Sequence, residues 1–182
     1  MRIITGEFKG RRLEMPVGND VRPTTEKVKE AIFSTIQAYI YDAKVCDFFS
    51  GTGNLGLEAI SRGAKLCYFA DNSRASLDLT KRNIKYCQAE DRSVVIPGDF
   101  EKCLNRLSEK NEKIDIFFLD PPYHEGLYER CFDLISALDL LDDDGIILAE
   151  HDSSAPLPDE FFGFKKLKDK SYGSIAFSIF EK

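Results

Sequence analysis

Lys44-Val45-Cys46-Asp47-Phe48-Phe49-Ser50-Gly51-Thr52-Gly53-Asn54-Leu55-Gly56 is the stretch that decides the fold of this chain. Lys44–Phe49 is an apolar run of strand length, and Leu55–Arg62 reads as a helix. Between them lies a short glycine loop. Glycine lets the backbone turn tightly and come close to a ligand lying across a strand end. A strand, a glycine loop and a helix in this order form the opening unit of a doubly wound α/β sheet.

The residues that follow repeat the alternation. Strands are expected at Lys65–Ala70, Ser93–Pro97, Ile114–Leu119 and Gly145–Glu150, and helices at Ser73–Cys87, Phe100–Leu107 and Leu127–Leu138. The end of the chain changes character. Phe164–Lys168, a Tyr172-Gly173 turn and Ser174–Phe180 read as an antiparallel hairpin. The fold class is therefore α/β, a mostly parallel sheet with helices on both faces and a C-terminal antiparallel hairpin.

Upstream, Ile3-Ile4 and Leu13-Glu14-Met15 flank the basic segment Gly6–Arg12, which reads as a short hairpin or irregular ribbon. Pro16–Asp20 is a turn cluster. Helical spacing of Val28, Ala31, Ile32, Thr35, Ile36, Tyr39 and Ile40 predicts one helix capped by Thr24 or Thr25. The division that results is a basic N-terminal arm, residues 1–23, and the α/β domain, residues 24–182.

Composition narrows the function. Hydrophobic residues at 43% and charged residues at 31% suit a soluble globule of 182 residues with one sizeable core. No apolar stretch approaches the roughly 20 residues needed to span a bilayer, and the N-terminus has no signal-peptide core. The five cysteines are scattered without metal-ligand or redox spacing, which points to reduced thiols, a cytoplasmic location and no metal. A net charge of −6 argues against indiscriminate coating of nucleic acid. Residues 1–30, however, carry seven Lys/Arg against five acids. A basic segment on an acidic body suggests a localised phosphate contact, with Arg2, Lys9, Arg11, Arg12 and Arg22 as candidates.

Three positions along the strand ends describe a cofactor pocket. Gly51, Gly53 and Gly56 belong to the loop, with Asn54 among them. Asp71 ends the second strand about 20 residues further on, where a carboxylate can take both ribose hydroxyls, and Asn72 follows it. Asp99 sits past the third strand with Phe100 beside it, an acceptor and a ring wall for adenine; Asp99 can also cap the next helix, and the two roles can coexist. Asp47 can brace the loop amides or meet the cationic end of the cofactor. The same glycine spacing matches the dinucleotide-binding fingerprint. A nicotinamide enzyme would need a proton relay, yet His124 and His151 lie in no recognisable one.

Asp120-Pro121-Pro122-Tyr123 separates the two readings. Two prolines after a strand make a stiff corner, because each ring fixes φ and removes a donor. One carboxylate, one free carbonyl and one aromatic ring then face the same space. This suits a flat ring bearing an NH₂ group, and a dehydrogenase would leave it without a purpose.

With the glycine loop, the acid at 71 and Asp-Pro-Pro-Tyr in this order, the chain resembles the class I S-adenosylmethionine-dependent amino-methyltransferases. Arg2-Ile3-Ile4, Gly10-Arg11, Arg22-Pro23-Thr24, Lys27–Phe33, Gly56-Leu57-Glu58-Ala59, Ser61-Arg62-Gly63-Ala64 and Tyr172-Gly173 narrow the resemblance to the RsmD family. It differs in Thr5 where a small residue or Gly is usual, Phe48 for Leu, and Asp71 where Glu is common. The resemblance implies a Rossmann-like fold, S-adenosyl-L-methionine as cofactor, and methylation of the exocyclic N2 of a guanine in 16S ribosomal RNA, naked or in a small-subunit assembly particle. Asp120, Pro121, Pro122 and Tyr123 would be catalytic, in a monomer acting away from membranes. An amino-methyltransferase on DNA adenine or a protein amide shares the corner motif, and a non-catalytic RNA-binding factor could retain the fold.

Overall fold

The computed structural model describes residues 1–16, 25–121 and 126–182. Most of the turn cluster expected over Pro16–Asp20, the Arg22-Pro23-Thr24 turn, Pro122, Tyr123 and His124 lie outside the described residues.

Among these residues the strands β1 (Lys44–Phe48), β2 (Leu66–Asp71), β3 (Ser93–Pro97), β4 (Ile114–Leu119), β5 (Leu141–Asp152), β6 (Glu160–Phe161), β7 (Phe164–Tyr172) and β8 (Ile175–Glu181) form one eight-stranded sheet in the order β3-β2-β1-β4-β5-β8-β7-β6. β1 pairs in parallel with β2 and β4, β2 with β3, and β4 with β5. β8 runs antiparallel to both β5 and β7. Strand order reverses between β1 and β4. A crevice opens at the carboxyl ends of strands at such a switch point.

The helices are α1 (Glu26–Thr35), α2 (Gln37–Ile40), α3 (Asn54–Ser61), α4 (Arg74–Cys87), α5 (Phe100–Glu109) and α6 (Leu127–Ala137). Successive strand residues point to opposite faces, so each strand feeds two cores. Val45, Phe69, Phe118 and Phe177 pack with Ile32, Phe33, Leu57 and Ile84 from α1, α3 and α4. Phe48, Phe117, Ile147 and Phe180 pack with Leu104, Leu107, Phe132 and Ile135 from α5 and α6. This double burial is why β4 reads as the continuous apolar run Ile-Asp-Ile-Phe-Phe-Leu. All five cysteines are buried and free.

Several boundaries differ from the expectation. Thr25 is the cap of α1, its hydroxyl accepting the Val28 N–H at 3.3 Å. The expected single helix breaks at Ile36, where φ is −100°. Thr35 donates its hydroxyl to the Ala31 carbonyl at 2.8 Å, a back-bond of the kind that bends helices. β5 starts at Leu141 rather than Gly145, because Leu141 pairs with Ile114 and carries the strand through the acidic run Asp142–Asp144. β7 runs on to Tyr172, with a register shift between Lys166 and Lys168 that leaves Leu167 exposed.

The N-terminal residues form the expected short ribbon. Ile3 N–H donates to the Arg11 carbonyl and Gly10 N–H to the Ile3 carbonyl, both at 2.9 Å. Ile3, Phe8 and Leu13 are buried. The ribbon docks on α3, where Ile4 and Thr5 donate their N–H groups to Glu58 and Phe8 donates to the Ser61 hydroxyl.

Candidate active site

The loop between β1 and α3 is held from three sides. Phe49, Gly51 and Gly53 have φ of 59°, 54° and 76°. For Phe49 the left-handed region costs about 1–2 kcal/mol. Its ring packs on Phe100 at 5.9 Å, which fixes it there. Asp71, at the end of β2, accepts the Gly51 N–H at 2.9 Å and the Ser73 N–H at 2.8 Å, one on each oxygen. From α4, Thr80 donates to the Gly51 carbonyl and Asn83 to the Thr52 carbonyl, both at 2.9 Å. Asp47, on β1, accepts the Gly56 N–H at 2.9 Å.

These bonds leave a cavity of about 490 Å³ above the strand ends. That volume lies within the range of small-molecule sites. Phe49, Ser50, Gly51, Thr52 and Asn54 form its loop wall, and Ser73, Ser76, Leu79 and Arg82 on the α4 side form a second. Met1, Glu14, Met15 and Pro16 of the ribbon close a third side, and Asp47 and Asp120 both face in. Asp120 directly follows β4, whose Leu119 pairs with Phe48 of β1. The glycine loop and the start of the Asp-Pro-Pro-Tyr corner therefore open on one space.

The cavity is built for positive charge. Asp47 is 2% exposed, and burial pushes its carboxyl up to about 7, against the pull of the Gly56 N–H; Asp120 and Asp71 add to the rise. Enclosure raises Asp120 to about 6. A carboxyl buried like that of Asp47, kept from ionising by lack of solvent, is stabilised by a cation placed beside it. The Ser50 hydroxyl is buried there without a partner among the described residues. On the far side Arg82 grips Glu14 with two bonds of 2.8 and 2.9 Å.

A family model described as conserved hypothetical protein 95 matches residues 1–181. The chain belongs to this family, the RsmD family. YlbH of Bacillus subtilis is 36% identical over 182 residues, covering 100% of this chain and 99% of its own. Ribosomal RNA small subunit methyltransferase D of Escherichia coli (strain K12) is 31% identical over 182 residues, covering 100% of this chain and 90% of its own. Among solved structures, yhhF from Escherichia coli has a TM-score of 0.86 at 29% identity, over 100% of this chain and 97% of that one. The fold is the Rossmann-like class I methyltransferase fold expected from the sequence.

The RsmD-family residues singled out in the sequence do not all meet at the cavity. Asp47, Gly51, Asn54 and Asp120 line it, whereas Gly53, Gly56, Asp71, Asn72, Asp99 and Phe100 do not. Gly56 serves helix packing, since a Cβ there would lie 2.3 Å from the Phe69 ring. Asp71 shapes the loop through its amides. Asp99 caps α5, accepting the Lys102 N–H at 2.9 Å, and Phe100 is buried beside Phe48 and Phe49. Pro121 is buried. In the ribbon, Lys9 and Arg12 are exposed, Arg2 pairs with Glu26 at 3.1 Å, and Arg11 donates to the Tyr86 carbonyl at 3.1 Å. Glu14, Arg82 and Asn83 were missed by the sequence reading. For Arg82 and Asn83 the one signal was the basic, amphipathic character of α4. Among the described residues no cluster of three or more metal-ligating side chains occurs, and no helix is long and apolar enough to cross a membrane.

Proposed function

We propose that this RsmD-family protein methylates the exocyclic N2 of a guanine in 16S, small-subunit ribosomal RNA, with S-adenosylmethionine as methyl donor. The observation that carries the reading is that Asp120 and the glycine loop line one cavity. The residues present fit the cofactor: a cavity of suitable size, the buried Asp47 carboxyl to face a cationic ligand, and a Ser50 hydroxyl without a partner among the described residues. Asp47, Ser50, Gly51 and Asn54 would hold it. When bound, S-adenosylmethionine supplies an electrophilic methyl group carried on a sulfonium.

This chain's residues supply alignment and charge. With its carboxyl near 6, Asp120 is mostly ionised at neutral pH, so it can accept a hydrogen bond from the guanine amine. Acceptors aimed at an amine favour the positive charge that develops as its lone pair leaves the ring. The Pro121 carbonyl is the second acceptor, Pro122 stiffens the corner and Tyr123 stacks on the base, as the sequence assigns them. The target base must be unstacked to reach this cavity. Lys9 and Arg12, both exposed, then meet phosphates, with Arg2, Arg11 and Arg22 in support. On this reading residues 1–23 are the RNA-contacting arm of a cytoplasmic enzyme.

Mass spectrometry of nucleosides from small-subunit RNA, in cells with and without this protein, tests the assignment. Loss of one N2-methylguanosine is expected. Unchanged N2-methylguanosine, or loss of methyladenine from DNA instead, overturns it.

A further inference from the structure

The ribbon lies antiparallel along α4. Glu14 N–H donates to the Asn83 side chain at 2.8 Å, Asn83 returns a bond to the Glu14 carbonyl at 3.1 Å, and Arg11 reaches the Tyr86 carbonyl. The outer face of α4 is basic. Lys81 and Lys85 form one exposed row at i,i+4 spacing, and Arg82 and Tyr86 form the next. Asp78 is the only acid in the helix, 3.9 Å from Lys81. Tyr86 is 56% exposed, a large ring held in solvent amid cations on a protein of net charge −6. Arg82, one turn along from Tyr86, lines the cavity wall, as does Ser76 nearer the start of α4. From Tyr86 to Ser76 the helix rises about 15 Å, the span of a few nucleotides.

We propose that the seam between the ribbon and α4 is the track for the RNA strand flanking the target base, with Tyr86 as a stacking platform and Lys81 and Lys85 as phosphate contacts. The inference rests on the RNA-methylating function proposed above. Exposed cations beside an aromatic platform are the chemistry that single strands take. The surface carries one ring among charges rather than an apolar patch, so it favours nucleic acid over a protein partner. The unstacked base required at Asp120 needs a single-stranded approach, and this track supplies one.

The test uses the full chain, with a small-subunit RNA transcript and small-subunit particles as probes. Tyr86→Ala should weaken RNA binding about tenfold or more, while Tyr86→Phe retains it. The Lys81→Gln/Lys85→Gln double variant should lower the slope of log affinity against log salt by about 1.4, at roughly 0.7 per phosphate for a single strand. S-adenosylmethionine affinity should match the parent in all three, which excludes misfolding as the cause. RNA affinity and salt slope equal to the parent's would overturn the track and leave the methyltransferase reading intact. A parent protein that binds cofactor but neither RNA probe would overturn both.

Discussion

The Lys29 ammonium lies 3.0 Å from the Glu58 carboxylate, and neither side chain is exposed to solvent. The same ammonium donates to the Arg2 carbonyl at 2.6 Å and to Asn54 at 2.8 Å. Glu58 also accepts from Ile4, Thr5 and Arg62 at 2.8 to 3.0 Å. One buried pair thus joins the ribbon, α1 and the first residue of α3 beside the cavity. Burial draws the Lys29 pKa down, opposed chiefly by Glu58.

Removing one partner leaves an uncompensated buried charge, which costs about 3–5 kcal/mol. Glu58→Gln should therefore lower unfolding stability by that amount in urea titrations. Adding Lys29→Met to it should recover part of the loss, since replacing both charges removes the desolvation penalty. A double variant no more stable than Glu58→Gln alone contradicts this account of the pair.

Gly6 fixes how the ribbon meets α3. Its φ is +88°, and a Cβ there would lie 1.8 Å from the Ser61 carbonyl oxygen. Backbone cannot yield as a flexible side chain can, so Gly6→Ala should cost about 2–4 kcal/mol from the clash and the left-handed φ together. Differential scanning calorimetry would measure the fall in melting temperature. Protease cleavage within residues 1–16 should accelerate in the same variant. A melting temperature equal to the parent's would show that the ribbon does not depend on this contact.

Asp47 sets a pH dependence whose sign follows from burial. Its carboxyl titrates at about 7 in the folded chain, against the ordinary 3.8. Between those values the folded state holds a proton that the unfolded state has released, so stability falls as pH rises through the window. Asp47→Asn keeps an oxygen for the Gly56 N–H but cannot ionise. Its loss of stability between pH 5 and pH 7.5 should be smaller than the parent's by roughly 2–3 kcal/mol, since the window holds nearly two tenfold changes in proton binding at about 1.4 kcal/mol each. Urea midpoints at the two pH values decide it, and parallel losses in the two proteins refute it.

What could be read from the sequence was what is local along the chain. The loop from Asp47 to Gly56 and the corner at Asp120 each declare themselves within a few residues, and strand order then brings them together. The other cavity wall was hidden because it rests on contacts between distant positions: Glu14 meets Arg82 and Asn83 across 68 and 69 residues. Lys29 and Glu58 belong to the motifs of the resemblance, but their pairing was hidden for another reason. A charged residue in an amphipathic helix normally faces water, and nothing local marks a pair that is buried. Asp99 illustrates a third limit. An Asp before a helix is both a natural cap and a natural ligand acceptor, and the contact observed is the cap.

The central claim is that Asp120 orients the amine that receives the methyl group, while the glycine loop holds the donor. The direct measurement is single-turnover transfer of labelled methyl from S-adenosylmethionine to small-subunit RNA or particles by Asp120→Asn, alongside the cofactor affinity of the same variant. The account predicts affinity within about threefold of the parent and transfer slowed about 100- to 1000-fold, the range seen when one charge-stabilising group is lost. Transfer at the parental rate by a variant that still binds the cofactor would contradict it.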